Sequence, residues 1–143
     1  MTVKQISIFL ENKPGTMGEL TAVLSQNKID MRALSLAEAS DFGIARLIVD
    51  DVYNAVTVLK EAGYVCSITK VLAVGIPDEP GALATLISHL GENGVNIEYI
   101  YAFSITKKNL AYMIFRVKDN EKATQILSKQ GYQLACQEDL VKW

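Results

Sequence analysis

One phrase occurs twice in this chain. Leu10-Glu11-Asn12-Lys13-Pro14-Gly15 opens a helical run in the first half, and Ile76-Pro77-Asp78-Glu79-Pro80-Gly81 opens one in the second, with the Pro-Gly pairs 66 positions apart. The match continues beyond the loops: Leu20 aligns with Leu86, Leu24 with Leu90, and Ile29-Asp30-Met31 with Val95-Asn96-Ile97. Further on the offset becomes 68, where Leu59 meets Leu127 and Gly63-Tyr64 meets Gly131-Tyr132. A longer hairpin tip in the second copy is expected to supply the two extra residues. A module repeated end to end, with little sequence left over, restricts the chain to two small related domains, residues 1–70 and 71–143.

Each half is near the lower limit for burying an adequate core alone, and half of all residues are apolar, so the halves are expected to pack on each other or on another chain. The net charge of −2 and the lack of any basic stretch argue against nucleic acid or an anionic membrane surface as partner. Two cysteines are too few for a disulfide-stapled scaffold, and no apolar run is long enough to span a bilayer. No signal peptide is evident. The expectation is a soluble, cytoplasmic protein.

Within each half the hydrophobic period switches in a fixed order. Residues 3–10 alternate as a strand that ends at the Pro-Gly loop, and Met17, Leu20, Val23 and Leu24 recur at helical spacing up to Asn27. Residues 31–39 and 44–49 read as strands around a turn at Ser40-Asp41-Phe42-Gly43. Asp51 is placed to cap a helix over residues 52–62, Gly63 to end it, and a β-branched run follows over 64–71. The second half repeats the order: strand 71–76, helix 81–93, strand 95–104, tip 106–109, strand 110–117, a helix capped by Asp119 or Asn120, and a closing strand over 132–136. Each copy is therefore βαββαβ. Right-handed crossovers give a four-stranded antiparallel sheet with both helices on one face, and two such sheets can join edge to edge.

Order of elements alone does not select a function. An RNA-binding module would present aromatics and basic residues on its middle strands, whereas Tyr112 and Phe115 fall on opposite faces of one strand and read as structural. Metal transport would want paired thiols in the first loop, and Cys66 and Cys136 instead lie late in separate copies, read as small apolar side chains. His89, the single histidine, has no catalytic partner nearby in sequence and suits a partly buried helix edge. Asp50-Asp51 precedes a helix, where carboxylates offset the positive dipole end. No phosphate loop, dinucleotide fingerprint or zinc spacing occurs.

The strand-to-helix loop is different. Pro14 fixes its own φ, Gly15 permits close approach, and the N–H groups of Gly15, Thr16, Met17 and Gly18 leave the helix start unpaired. This is an anion site suited to a carboxylate, or simply a neat helix start, which duplication would also copy.

Glu-Asn-Lys-Pro-Gly followed by Asp30, and Asp-Glu-Pro-Gly followed by Gly94-Val95-Asn96-Ile97, resemble the ligand-loop signature of ACT domains over nearly the whole chain, leaving a tail from Glu138 to Trp143. The resemblance implies an α+β fold of two ferredoxin-like βαββαβ modules joined side by side into one antiparallel sheet, helices on one face. It also implies a non-catalytic sensor of free amino acids, such as those associated with metabolic enzymes. Carried over position by position, the ligand residues are Asn12, Pro14, Gly15, Thr16, Met17 and Asp30 in copy one, and Asp78, Gly81, Ala82, Asn96 and Ile97 in copy two. The resemblance places the effector between two modules, held by one loop and a neighbour's second strand. Leu10 and Ile76 stand where some serine-sensing members carry a histidine, which disfavours serine and makes an apolar or larger effector side chain easier to accommodate.

The leading expectation is an amino-acid-binding regulator with no cofactor, a homodimer, acting on a metabolic enzyme partner. The alternative is a ligand-free structural or regulatory subunit of a metabolic enzyme complex. Asn12 and Lys13 make the first loop kinder to a carboxylate than Asp78 and Glu79 make the second, so the first is expected to be the tighter site. The ligand's ammonium is expected to seek Asn96 or a carbonyl of residues 97–100.

Overall fold

A computed structural model describes the backbone of residues 1–143 and every side chain except that of residue 105. The chain divides into two compact units, one comprising Lys4–Thr69 and the other Lys70–Trp143 together with Met1–Val3.

The first unit contains β1 (Val3–Glu11, from Lys4 onward), α1 (Thr16–Gln26), β2 (Met31–Ala39), β3 (Phe42–Val49), α2 (Val52–Glu61) and the opening residues of β4 (Cys66–Pro77). Strand β3 lies between β2 and β1, antiparallel to both, and β1 pairs on its other side with β4. Alternation along the strands sends Ile6, Ile8, Leu10, Ala45, Leu47 and Val49 to the helix side. There they meet Leu20 and Leu24 of α1 and Ala55 and Leu59 of α2. The Asp51 carboxylate caps α2 by accepting from the Asn54 N–H at 3.1 Å, and Gly63 leaves the helix at φ 90°.

The second unit repeats this plan with the rest of β4, α3 (Ala82–Glu92), β5 (Ile97–Lys107), β6 (Leu110–Val117), α4 (Asn120–Lys129) and β7 (Gln133–Leu134). Its strand order is β5-β6-β4-β7. Leu72, Val74, Phe115 and Val117 pack against Leu86, Leu90, Ala123 and Leu127. Asp119, one of the two expected caps, serves α4 by accepting from the Lys122 N–H at 3.0 Å. The two βαββαβ modules are thus present. The boundary falls inside one uninterrupted strand, β4, where the sequence suggested one strand passing into another.

Three features of the second module depart from the sequence reading. Both hairpins turn on two residues, Ser40-Asp41 and Lys108-Asn109, so a longer tip does not account for the changed offset. The extra residues lie within β5: Ala102 pairs with Met113 and Thr106 with Ala111, four steps on one strand against two on the other. Such a bulge re-aims side chains locally, and Phe103 within it packs edge-on against Trp143 at 5.8 Å and against Tyr112 at 6.3 Å.

The tail also forms a helix, α5 (Gln137–Lys142), whose Leu140 is fully buried and which delivers Trp143 to within 4.5 Å of the Tyr112 ring. Tyr112 lies so close over β4 that a Cβ at Gly75 would come within 3.0 Å of its ring, which explains a glycine inside that strand. Tyr112 and Phe115 do occupy opposite faces, Phe115 within the helix-side core. Finally, Cys136 is not a packed apolar side chain. It starts α5, its N–H donating to Asp139 Oδ2 at 2.8 Å and its thiol contacting the same oxygen at 3.1 Å. Cys66 does pack against the first core.

The Cys136 N–H, with its thiol adding to it, holds the Asp139 carboxyl below its ordinary value near 3.8. A depressed folded-state pKa means that this contribution is present above about 3.8 and is lost as the pH falls through the folded value. Acidification below pH 3.8 should therefore weaken the α5 dock and change the fluorescence of Trp143, the single tryptophan, before the far-UV signal collapses. In Asp139→Ala this early acid step should be missing.

Candidate functional site

Strand β1 must turn onto the face of its own sheet within a few residues. It does so through Asn12, Lys13 and Pro14 to Gly15, whose φ of 90° lies in the left-handed region that favours glycine. Gly15 offers no side chain to cap α1. The N–H groups of Gly15, Met17 and Gly18 therefore have no intrahelical acceptor. That of Thr16 reaches back to the Lys13 carbonyl at 3.5 Å, and its hydroxyl donates to the same oxygen at 3.0 Å. Asn12 Nδ2 donates to the Ser40 carbonyl at 3.4 Å and joins the loop to the β2–β3 hairpin. Lys13 and Glu11 form an ion pair at 2.8 Å. Their hydrogen bond, with the charge attraction behind it, lowers the Glu11 pKa and raises that of Lys13.

These residues enclose a cavity of about 160 Å³, lined from the loop side by Asn12, Gly15, Thr16, Met17 and Gly18 and from the strand side by Leu10, Leu36 and Glu38. Of the candidates in copy one, Asn12, Gly15, Thr16 and Met17 therefore meet around one space. Pro14 lies exposed in the turn outside that lining.

Asp30 lies elsewhere. Helix α1 carries the chain about 16 Å back along the sheet before Asp30 is reached, which puts it at the opposite end of its module from Gly15. There it is held by structure: its carboxylate pairs with Arg32 at 2.6 Å and its N–H donates to Asp50 Oδ1 at 3.0 Å. The same Asp50 oxygen accepts from the Asp51 N–H at 2.9 Å, and the Asp50 N–H returns a bond to the Asp30 carbonyl at 3.1 Å. Asp50 thus stitches the base of the module as well as preceding α2.

The second loop repeats the backbone, with Gly81 at φ 87° and no side-chain cap on α3. Its surroundings differ. Glu79 and Ala82 line a cavity of about 510 Å³ shared with Thr85, Gln130, Gly131 and Tyr132, while Asp78 and Gly81 lie exposed outside that lining. Asn96 borders a separate cavity of about 860 Å³ at the base of the module, beside Lys70, Lys118 and the start of α4. Ile97 packs its side chain against the second core. Loop and strand start are again at opposite ends, since one cavity meets the beginning of α4 and the other its end. His89 is half-buried with its ring edge toward Tyr132 at 6.2 Å. Among the described residues there is no cluster of three metal-ligating side chains, and no helix is long and apolar enough to cross a membrane.

Sequence reasoning missed the strand wall of the first cavity, Leu36 and Glu38. Their alternate positions on β2 gave a signal, but one indistinguishable from an ordinary amphipathic strand until the loop was seen to stand over them.

A crystal structure of a Bacteroides thetaiotaomicron protein is 39% identical, with 100% of this chain and 98% of that one covered and a TM-score of 0.91. The regulatory subunit of aspartate kinase from Thermus thermophilus, in a ligand-free form, is similar in fold at 18% identity and a TM-score of 0.62, with 88% of this chain and 91% of that chain covered. Aspartate kinase from Synechocystis is similar at 20% identity and a TM-score of 0.58, over 95% of this chain and 28% of that one. No curated protein matches the sequence. The sequence fits the description ACT domain pair over residues 1–143, so this chain, with its duplicated βαββαβ modules and repeated Pro-Gly loops, belongs to the ACT domain pair family.

Proposed function

We propose that the protein is a non-catalytic sensor of a free amino acid that regulates a partner enzyme of amino-acid metabolism in the cytoplasm, with residues 1–70 and 71–143 as its two functional modules. The observation that carries this reading is the uncapped start of α1 opening into a cavity of about 160 Å³. A carboxylate there meets N–H groups that have no other acceptor and the positive end of the helix dipole. Membership of the ACT domain pair family supports the same chemistry.

In each module the loop and the strand start are at opposite ends. A ligand that touches both kinds of residue therefore needs a loop from one module and a strand start, Asp30 or Asn96, from another. Such a ligand transmits a signal by binding one arrangement of modules better than another. A thermal-shift screen of the full chain against the common amino acids tests the reading. A ligand at about one hundred times its Kd adds about 2.7 kcal/mol, so one amino acid or a small group should raise the melting temperature by several degrees. A flat response to all of them would favour the ligand-free subunit instead.

The first loop is the tighter site on this reading, because Asp78 and Glu79 add two carboxylates at the second. Gly15→Val and Gly81→Val compare the two. Their φ values, 90° and 87°, are nearly equal, so the backbone penalty of about 1–2 kcal/mol is matched and a difference in affinity reports the site. Calorimetric titration should show the larger loss for Gly15→Val. Equal losses, or a larger one for Gly81→Val, would show this assignment to be wrong.

The chain is a homodimer on the same reading, since the edge strands of a sheet invite pairing with a second copy. Sedimentation at micromolar concentration should show a dimer, and a monomer alone, with and without amino acids, would overturn it.

A further inference from the structure

The first module has a sheet edge whose outer side meets no strand among the described residues. That edge is the opening of β4, which follows β1 on one side, the Phe9 N–H donating to the Val65 carbonyl at 3.1 Å. The other partners of β4, β6 and β7, pair with it only from Leu72 onward. Successive residues of a strand point their N–H and C=O groups to alternate sides. Since Val65 faces β1, the groups of Cys66 and Ile68 face outward. The Lys70 carbonyl follows the same alternation, and it is met by Arg116 Nη1 at 3.4 Å and Asn120 Nδ2 at 3.2 Å, which closes the edge there. Sheet edges are commonly guarded by a charge, a proline or extreme shortness. Residues 64–69 hold neither charge nor proline, and Val65 and Ile68 are exposed. The corresponding edge of the second module is blunted: β7 is two residues long, and Cys136 then turns the chain into α5.

We infer that a second copy of this chain adds its own β4 opening to this edge, antiparallel about a two-fold axis at Ser67. The inference rests on the homodimer reading above and assigns its surface. In this register Cys66 lies opposite the partner's Ile68, and the two exchange N–H···O=C bonds through their outward groups. Ser67 meets the partner's Ser67 at a non-hydrogen-bonded position, where strands approach most closely and a small side chain fits. Val65 lies opposite the partner's Thr69, a pair of β-branched residues. A slipped register would bring Lys70 against Ala62, where α2 ends, or Leu72, already paired with Phe115, against Tyr64. The charges suit this pairing. Tyr64 and Cys66 pack on the helix-side core, and by alternation Ile68 and Lys70 share that face. Lys70 is exposed, forms no ion pair among the described residues, and lies opposite the partner's Tyr64. Burial raises the Tyr64 pKa, and the charge of nearby Glu19 raises it further. Each Lys70 therefore approaches the partner's Glu19, and symmetry repeats the contact. Two otherwise uncharged strands are thus framed by opposite charges.

Sedimentation of the full chain at micromolar concentration should show a dimer. Ile68→Lys, which sets a charge on the edge, should sediment as a monomer with an unchanged far-UV spectrum. Lys70→Glu should weaken the dimer about tenfold, and adding Glu19→Lys should restore it. With Cys66→Ala and Cys136→Ala in place, Ser67→Cys should form a reducible dimer on mild oxidation. Val65→Cys should not, because the two copies of that position are about 13 Å apart in this register, beyond the reach of a disulfide. A dimer that survives Ile68→Lys, or a Ser67→Cys variant that does not cross-link, would overturn this surface and leave the homodimer reading standing. A monomer at every concentration would overturn both, leaving the edge to a strand of another protein. Neither outcome bears on the amino-acid sensor, which the thermal-shift screen tests separately.

Discussion

A strand that leaves the end of a sheet must turn through a tight angle if the next helix is to lie on that sheet. In this chain the left-handed backbone of Gly15 and of Gly81 makes that turn, and the packing of each module follows from it. The glycine brings α1 or α3 down over its strands, so that Leu20 and Leu24, or Leu86 and Leu90, land in the core. An L residue with a side chain would be strained at this φ. A residue that capped the helix with its own side chain would fill the donors that remain open. The turn therefore places the core and leaves the N–H groups of the helix start open with the same backbone geometry.

Much of this was legible because duplication let one half check the other. The periods of the strands and helices, the cap at Asp51, the choice of cap at Asp119 or Asn120 and the Pro-Gly loops are local signals. The elements lie within a few residues of where those signals placed them, except the closing strand expected over 132–136, which is only Gln133-Leu134 because Cys136 opens α5. What was illegible depended on contacts distant in sequence. The bulge in β5 looked like a longer turn because an insertion count cannot distinguish a tip from a strand interior. Lys108-Asn109 carries only a weak tight-turn signature, despite the positive φ that both residues adopt. Helix α5 was read as a tail because six residues show too little periodicity, and its reason for existing is the surface of Tyr112 and Phe103. Leu36 and Glu38 were passed over because their meaning lies in the loop above them.

The copies have diverged in a consistent direction. The first has no counterpart of the bulge between Ala102 and Thr106 and keeps Leu36 exposed beside its loop. The second carries features that cover its sheet face: Gly75 to admit Tyr112, a bulge to turn Phe103, and a helix to bring Trp143. Shared descent preserved the framework, while differences of one or two residues changed what each loop can hold.

The base of the first module is stitched by Asp50, one oxygen of which receives the N–H groups of both Asp30 and Asp51. At the corresponding place the second module carries Lys118, a donor, which cannot accept those bonds. The two bases therefore differ in compliance as well as in sequence. In the first, opening the turn before β2 breaks hydrogen bonds that also hold the start of α2. In the second, the turn before β5 borders a cavity of about 860 Å³ and can shift without disturbing such a stitch. Amide exchange follows local opening of this kind, and it makes the turn at Asn96 the yielding element and the turn at Asp30 the stiff one.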